Sequence, residues 1–393
     1  MIAIKNGRII TPDKIIENKV LLLKNDKIAS FSDSAYGAEK VVNAHGRYIM
    51  PGFIDIHSDR IEQYISPRPT SQVDFEFGLK VCERDLLGAG ITTMYHSISL
   101  FGDEFFGSSP LRTKENVQRL SDLICGIHLR NHLIHHRFHL RIEIDNLEAY
   151  EIACEMIEQN KVHLISFMNH TPGQGQYRNY AAYQDAVSKY NGNLGGRDAK
   201  DMTVDELNEY HENKPKLTTE QLTELTRLAH AKGIPVASRD DDTRDKLEEN
   251  LKIGVDISEF PISIDTAKAA KELGFSTVVG AANILRGSSH SGNMSAADAV
   301  LADCADIICS DYYSAAILQS IYIMHEKHGS PLEKMVNKAT LNPAVAMKID
   351  NEYGSLEPGK KADLLIVDIL DGYPVITHCF VDGRTTSRIE YRS

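Results

Sequence analysis

The middle of this chain alternates apolar, strand-like segments with amphipathic helical patterns, and no other feature constrains the fold as strongly. Eight segments are predicted to be strands, at 53–59, 91–97, 138–144, 162–170, 234–240, 256–261, 276–282 and 306–312. Helical patterns lie between them, for example at 113–130, 146–159, 218–232, 264–273 and 314–327. Because eight strand–helix units close into a parallel barrel, the alternation predicts an α/β fold with a (β/α)₈ barrel of the TIM type.

The two ends of the chain have a different pattern, in which short strands are separated by turn signals. Asn6-Gly7 and Asn25-Asp26 are such signals near the amino terminus, and Asp382-Gly383 is one near the carboxyl terminus. We therefore expect residues 1–50 and 350–393 to combine into one small β-sandwich domain, with the barrel domain spanning 51–349.

Composition narrows the classes of partner. The net charge of −12 over 393 residues argues against broad binding to nucleic acid. The six cysteines are scattered without a C-x-x-C pair, which suits a reducing cytoplasm better than a disulfide framework. No apolar run is long enough to cross a bilayer, and the start of the sequence lacks a signal-peptide pattern. We expect a cytoplasmic protein without membrane or nucleic-acid partners, and the sequence leaves a homodimer open.

The first predicted barrel strand ends in a histidine and a carboxylate two residues apart, His57 and Asp59. Strict alternation along a strand would place Asp55 on the same side as these two, with Ile54 and Ile56 on the other side. Such a strand suits a metal site at the carboxyl end of a barrel. The alternative is a buried strand whose polar end only meets solvent.

Other predicted strands also end in polar residues. His139, Arg141 and Glu143 share one face of strand 138–144, which indicates that this face lines a polar cavity. His170 ends the fourth strand and Asp311 follows the eighth. Each of these residues alone is more often a hydrogen-bonded strand end than a ligand. Jointly they form a mixed imidazole and carboxylate set of the kind that a divalent metal needs: His57, Asp59, Glu143, His170 and Asp311.

Three loops carry arginines where a barrel could bind phosphate. Prolines stiffen the loop around Arg68, and Arg178 lies in the glycine-rich segment after His170. Arg286 and His290 follow the seventh strand, after which barrels often place a phosphate site. Guanidinium groups suit phosphate oxygens, so these residues are predicted to bind phosphate; solvent-exposed turns are the alternative.

Two segments keep more than one interpretation. The long connection from 171 to 217 follows a strand, so it is either a lid over the active face or a peripheral helical excursion. The run Asp240-Asp241-Asp242 ends the fifth strand, and either Asp242 or Thr243 could simply cap the next helix.

Several motifs resemble the amidohydrolase superfamily over nearly the whole chain. They include Pro51-Gly52-Phe53-Ile54-Asp55-Ile56-His57, Asn342-Pro343-Ala344 and Gly359-Lys360-Lys361-Ala362-Asp363-Leu364. This resemblance implies a divalent metal, zinc, with manganese or iron as alternatives, bound as one or two ions. It also implies that Asp311, on the eighth strand, acts as the general base.

Finer motifs resemble one branch, the ribosyl-triphosphate diphosphatases of phosphonate metabolism. They occur in order as His57-Ser58-Asp59, Pro67-Arg68-Pro69, His139-Leu140-Arg141, His170-Thr171-Pro172-Gly173-Gln174, the run from Arg286 to Asn293, and Ser310-Asp311-Tyr312-Tyr313. The resemblance implies hydrolysis of a ribosyl triphosphate to the 5-phosphate and pyrophosphate, with a functional link to the carbon–phosphorus lyase pathway. Tyr312 becomes a further candidate contact to the substrate.

The chain departs from this branch after the fifth strand. Ser238-Arg239-Asp240-Asp241 stands where the branch is expected to have Ser-His-Asp-Asp, and the missing histidine would be a metal ligand. Arginine stays charged and cannot replace it. Two unit charges about 5 Å apart repel by roughly 3 kcal/mol at an effective dielectric constant near 20. Arg239 should therefore either exclude a second metal or point away from it.

Two other functions remain open from the sequence. One is deacylation or deamination of a small cyclic amide or amine by the same fold, against which the arginine-bearing loops argue. The other is a metal-poor barrel that binds phosphorylated sugars without turnover, which Arg239 favours.

Overall fold

The computed structural model of the protein describes residues 1–68, 71–100, 110–175, 179–181, 183–184, 193–194, 197–198, 201–287 and 293–392. The strands near the amino terminus are β1 (Ile2–Lys5), β2 (Arg8–Ile10), β3 (Ile15–Ile16), β4 (Val20–Lys24), β5 (Lys27–Ser32), β6 (Lys40–Asn43) and β7 (Tyr48–Pro51). Then follow β8 (Phe53–Ser58), β9 (Ile91–Leu100), β10 (His135–Glu143), β11 (Leu164–Met168), β12 (Asn193–Leu194) and β13 (Arg197–Asp198). The remaining strands are β14 (Val236–Arg239), β15 (Ile257–Glu259), β16 (Ser276–Gly280), β17 (Ile307–Cys309), β18 (Leu364–Leu370), β19 (Tyr373–Val381) and β20 (Arg384–Arg388).

The described helices lie between and after the strands of the middle region. They are α1 (Arg60–Ile65), α2 (Phe75–Gly88), α3 (Lys114–Gly126), α4 (Glu148–Glu158), α5 (Val204–Glu212), α6 (Thr219–Ala231), α7 (Arg244–Ile253), α8 (Ile264–Glu272), α9 (Ala281–Arg286), α10 (Ala296–Leu301), α11 (Ala316–His328), α12 (Leu332–Asn337) and α13 (Leu341–Ala346). Several begin at a threonine or serine cap. The Thr218 side chain, for example, accepts a hydrogen bond from the Gln221 N–H, which satisfies a donor at the start of α6.

Eight parallel strands form the barrel, in the order in which the sequence predicts them. β8, β9, β10, β11, β14, β15, β16 and β17 pair with their neighbours in that order. The first and last strands meet at an isolated parallel β-bridge between Ser58 and Asp311. There the Asp311 N–H donates a hydrogen bond to the His57 carbonyl at 3.1 Å. The predicted (β/α)₈ fold is confirmed, and we call this contact between β8 and β17 the closing seam.

Two further sheets flank the barrel. One has the strand order β5-β4-β1-β6, and the other has the order β20-β19-β18-β7-β2-β3, so it combines both ends of the chain. Apolar side chains from both sheets, such as Leu21 and Phe380, pack in one buried cluster. This arrangement is the predicted β-sandwich built from both termini. β7 leads through Gly52 directly into β8, so the sandwich adjoins the first strand of the barrel.

The interior of the barrel is packed with apolar side chains below the carboxyl ends of the strands. Ile54, Leu164, Ala237, Ile257 and Val278 belong to this buried cluster. Because the lower part of the barrel is filled, polar chemistry is confined to the carboxyl ends, where enzymes with this fold place their sites.

Gly383→Ala is expected to destabilise the fold more than the same change at Gly372. Both glycines lie in strand turns with positive φ, +69° and +80° respectively. A Cβ on Gly383 would lie 2.2 Å from the Asn25 carbonyl oxygen, whereas a Cβ on Gly372 would meet nothing within 4 Å. Left-handed backbone costs about 1–2 kcal/mol for alanine, and the clash adds about 1–3 kcal/mol. Thermal unfolding midpoints compare the variants, and equal shifts would contradict the expectation.

Among the described residues, no helix is long and apolar enough to cross a membrane.

Candidate active site

His57 lies at the centre of a buried polar cluster at the carboxyl ends of the strands. Its Nδ1 atom is 2.9 Å from Glu259 Oε1 at the end of β15, and the two side chains are only 2% and 0% exposed. Its ring packs edge-on against His139 of β10 and against Phe260, with centroid distances of 5.2 and 5.0 Å. The cluster therefore connects the first, third and sixth barrel strands.

The first barrel strand does not alternate as predicted. The pairing of β8 with β9 shifts register between Asp55 and Ser58. Ile54 and Ile56 therefore pack in the barrel interior, and His57 points there as well. Asp55 instead accepts a hydrogen bond from the Ser310 N–H across the closing seam, at 3.1 Å. Such irregularities re-aim side chains next to functional sites, and here the irregularity turns His57 inward.

Glu259 and His139 complete a group with metal-ligating chemistry. Ligand atoms of His57, His139 and Glu259 lie within 4.8 Å of one another, and all three residues are buried. His139 Nδ1 faces the Ile56 carbonyl at 3.1 Å, and its Nε2 faces Ser166 Oγ at 2.9 Å. Glu259 Oε2 is buried without a hydrogen-bond partner among the described residues. Two imidazoles and a carboxylate are ligands that zinc accepts.

Arg239 points into this cluster. Its Nη1 atom lies 3.1 Å from His57 Nε2, and its Nε donates to Asp240 Oδ2 at 3.2 Å. The guanidinium also lies over the Phe260 ring, 5.0 Å from the ring centroid. Burial opposes the charged form of Arg239, but surrounding carboxylates outweigh it and raise its pKa: Asp240, Asp311, Glu259 and Asp59. Arg239 is therefore a permanent cation inside the site.

The same contacts set the protonation of His57. Burial, together with the positive charges of Arg239 and Arg141, lowers the pKa of His57 well below its usual value. A neutral imidazole has one donor and one acceptor nitrogen. The network assigns the proton to Nδ1, which donates to Glu259, and the lone pair to Nε2, which accepts from Arg239.

Backbone strain is concentrated at the same strand ends. Asp240, Phe260 and Asp311 follow β14, β15 and β17 and have positive φ values of 56°, 55° and 61°. A bulky residue such as Phe260 rarely adopts this conformation, which costs about 1–2 kcal/mol. Strain of this kind clusters at functional sites, and here it occurs at the ends of three of the eight barrel strands.

A second imidazole–carboxylate pair lies at the ends of β10 and β11. His170 Nδ1 is 2.6 Å from Glu143 Oε1, and both side chains are almost completely buried. The structure thus brings together two of the residues that the sequence predicts as metal ligands. Asp59 does not join this pair: it precedes α1, and its Oδ2 is 3.8 Å from an Arg112 nitrogen.

A cleft opens beside Arg239. Asp240, Asp311, Arg286 and Tyr312 also line it. The cleft therefore brings together the predicted general base Asp311, the predicted phosphate-binding Arg286 and the predicted substrate contact Tyr312. Arg239, which stands where the branch is expected to have histidine, lies beside them.

Arg141, near the end of β10, is a second buried arginine of the site. Its Nε donates to the Met168 sulfur at 3.1 Å, and no carboxylate of a described residue lies within 4.0 Å of its guanidinium. Burial, with the neighbouring charges of Arg239 and Arg112, lowers its pKa to about 10. Arg141 thus keeps its charge at neutral pH in surroundings that disfavour it.

The other candidates from the sequence have different surroundings. Arg68 is exposed and forms a β-bridge with Ser71. Asp241 is buried and accepts hydrogen bonds from Ser238, Ser258 and Asn250. Its carboxylate therefore links β14 to β15 and does not face the cleft.

The alternatives for the neighbouring loop residues are also resolved. Thr243 caps α7, and Asp242 accepts from the Gly175 N–H at 2.9 Å, which ties down the start of the long connection. Arg178 and His290, both predicted phosphate ligands, lie outside the described residues.

Sequence reasoning did not select Glu259 or Phe260. A signal for Glu259 was present, because it is a carboxylate near the end of a predicted strand, 256–261. No sequence signal distinguishes Phe260, since its role depends on a backbone conformation that its residue type disfavours.

Residues able to bind a divalent metal are present, but the two positions differ in fit. Beside His57, both ring nitrogens already have partners, and one partner is the Arg239 cation. A divalent ion does not fit there in this arrangement. Glu143 and His170 offer a buried carboxylate and an imidazole, which are ligand types that a divalent ion accepts.

Comparison with known proteins agrees with this architecture. The Amidohydrolase family matches residues 181–387, just over half of the chain. Alpha-D-ribose 1-methylphosphonate 5-triphosphate diphosphatase of Escherichia coli (strain K12) is 28% identical over 390 residues, covering 97% of this chain and 99% of that protein. Imidazolonepropionase of Picrophilus torridus is 38% identical, but over only 69 residues, 18% of this chain and 17% of that protein.

Solved structures support the fold. N-acetylglucosamine-6-phosphate deacetylase from Pasteurella multocida has a TM-score of 0.63 at 12% identity, covering 98% of each chain. Enamidase has a TM-score of 0.62 at 16% identity, covering 98% of this chain and 95% of its own. From the family match and the barrel with its flanking sandwich, we conclude that this chain belongs to the amidohydrolase family.

Proposed function

We propose that this chain hydrolyses alpha-D-ribose 1-methylphosphonate 5-triphosphate to the 5-phosphate and pyrophosphate. The observation that carries the proposal is the cleft, in which the Asp311 carboxylate lies with the guanidinium groups of Arg239 and Arg286. The chain has a net charge of −12, yet these two guanidinium groups place positive charge in the cleft. Such positive charge suits a highly anionic substrate. The similarity to the E. coli diphosphatase over 97% of the chain supports the same substrate.

In the proposed reaction, Asp311 accepts the proton from the attacking water. The water oxygen bonds to the α-phosphorus, and the bridging oxygen leaves with pyrophosphate. Arg239 and Arg286 neutralise charge on the phosphate oxygens as it develops. Held by Glu143 and His170, a divalent ion such as zinc would contribute Lewis acidity and lower the pKa of water. Under this proposal the protein has a functional link to the carbon–phosphorus lyase pathway.

A panel of substrates tests the proposal. Purified protein is supplied separately with Zn²⁺, Mn²⁺ or Fe²⁺ and given the ribosyl triphosphate, an N-acetylated sugar phosphate or a neutral cyclic amide. We expect pyrophosphate release from the triphosphate and no acetate or amine from the others. Release of acetate or amine, with no pyrophosphate under any metal, would instead support the deacylase or deaminase alternative.

Arg239 favours a second candidate function, binding of a phosphorylated sugar without turnover. This alternative needs the same cationic cleft but no activated water. Isothermal titration calorimetry distinguishes the two, because it would detect saturable binding of the triphosphate while pyrophosphate stays absent over hours. Turnover would exclude the binding-only role.

A further inference from the structure

We propose that Arg239 occupies the place of a metal ion beside His57, so that His57 ligates no metal in this protein. The centre then holds at most one divalent ion, at Glu143 and His170. The inference concerns the chain's own residues and does not depend on which substrate it hydrolyses.

The geometry leaves no room for an ion on His57. Zinc binds an imidazole nitrogen at about 2.0–2.1 Å. Arg239 Nη1 lies 3.1 Å from His57 Nε2, so an ion between them would be only about 1 Å from the arginine nitrogen. The opposite ring nitrogen is engaged by Glu259 at 2.9 Å. An ion on Nδ1 would break the hydrogen bond to Glu259 and move the ring proton to Nε2, where it would face the N–H donor of Arg239.

Two contacts keep Arg239 in this position. Asp240 accepts a hydrogen bond from its Nε, and Phe260 lies under its guanidinium. The Phe260 ring also packs against the His57 ring, so one aromatic side chain fixes both partners. The positive φ of Asp240 and Phe260 places these contacts on strained backbone that the surrounding strands hold. Arg239 is therefore built into the site, and it does not lie loosely across it.

The charge that Arg239 contributes differs in kind from that of an ion. A guanidinium is a single positive charge that cannot be deprotonated and offers several N–H donors in one plane. Because Arg239 lines the cleft, this charge faces whatever anion the cleft binds. The arrangement keeps the electrostatic attraction of a metal at this place but cannot activate a ligated water.

Metal content tests the inference directly. Wild-type protein, His57→Ala, Arg239→His and the double variant Arg239→His/His57→Ala are stripped with a chelator, loaded with Co²⁺ and desalted. Metal is counted by mass spectrometry, and ligation is followed by the visible absorption of Co²⁺. Arg239→Met serves as the matched control, since it removes the cation without adding a ligand.

We expect wild type to hold one equivalent or none, and His57→Ala to leave that content unchanged. Arg239→His should gain about one equivalent of Co²⁺, with a new absorption band. The double variant should lose this additional equivalent and the new band. Two equivalents in wild type, one of them lost in His57→Ala, would overturn the inference, and so would the absence of any gain in folded Arg239→His. The wild-type comparison decides the point even where an Arg239 variant fails to fold.

Discussion

Replacing Asp311 with asparagine is expected to lower kcat for pyrophosphate release by about 10²- to 10⁴-fold, the range that a positioned general base contributes. Asparagine keeps the size of the side chain but cannot accept the proton from water. A loss in kcat at nearly constant KM would indicate an interaction made in the transition state. Stopped assays with the ribosyl triphosphate measure both constants.

The fold should tolerate this change, because the position suits asparagine. Asp311 has φ of 61°, and asparagine is among the few residues that adopt left-handed backbone readily. The backbone N–H of residue 311 still donates to the His57 carbonyl, so the closing seam keeps its hydrogen bond. A fall in activity would then reflect chemistry and not unfolding, which circular dichroism can verify.

Asp303→Asn is the matched control for Asp311→Asn. Asp303 also has positive φ, 53°, but its side chain is exposed on the surface and pairs with Lys271. The control should keep full activity. If Asp311→Asn retains more than about a tenth of wild-type kcat, Asp311 is not the general base and the proposed mechanism fails.

The barrel could be predicted from the sequence because its signal is repeated. All eight strands overlap the predicted segments, although most differ in their bounds, since β-branched runs between amphipathic helices leave few alternatives. The sandwich was predictable for a similar reason, because turn signals such as Asp382-Gly383 separate its strands. Short helices such as α9 and α10, six residues each, lack enough periodicity to be predicted.

The site was less predictable than the fold, because its geometry depends on local exceptions. The register shift in β8 turns His57 inward, and strict alternation would not place Ile56 in the interior with it. The direction of Arg239 follows from Asp240 and Phe260, whose backbone conformations no spacing rule predicts. The sequence shows which strand ends carry polar residues. It does not show which of these residues contact one another, because that depends on contacts across the barrel.

Arg141→Met is expected to have opposite effects on stability and on function. The guanidinium of Arg141 is buried, and among the described residues its only hydrogen-bond acceptor is the Met168 sulfur, a weak one. Its pKa is lowered to about 10 by burial and by neighbouring arginines, so the folded protein disfavours its charge. Methionine fills similar volume without that charge, and the free energy of unfolding should rise by about 1–4 kcal/mol.

Substrate binding should weaken in the same variant, because a buried cation with no carboxylate partner among the described residues is suited to an anion from outside. Losing a hydrogen bond to a charged phosphate oxygen costs about 1.5–3 kcal/mol, equivalent to roughly a 10- to 150-fold rise in KM. Arg141→Lys keeps a charge and should recover part of the loss, though not the planar geometry. KM for the triphosphate and the thermal midpoint are the two measurements.

The opposite signs separate a functional arginine from a structural one. If Arg141 is retained for packing, its replacement should lower the stability of the protein and leave KM unchanged. If it is retained to bind an anion, its replacement should raise both the stability and KM. Arg137→Met is the control, since Arg137 lies on the same strand, four residues nearer its amino end and away from the site. It should leave KM unchanged. A lower thermal midpoint with normal KM in Arg141→Met would show that Arg141 supports the barrel and binds no substrate.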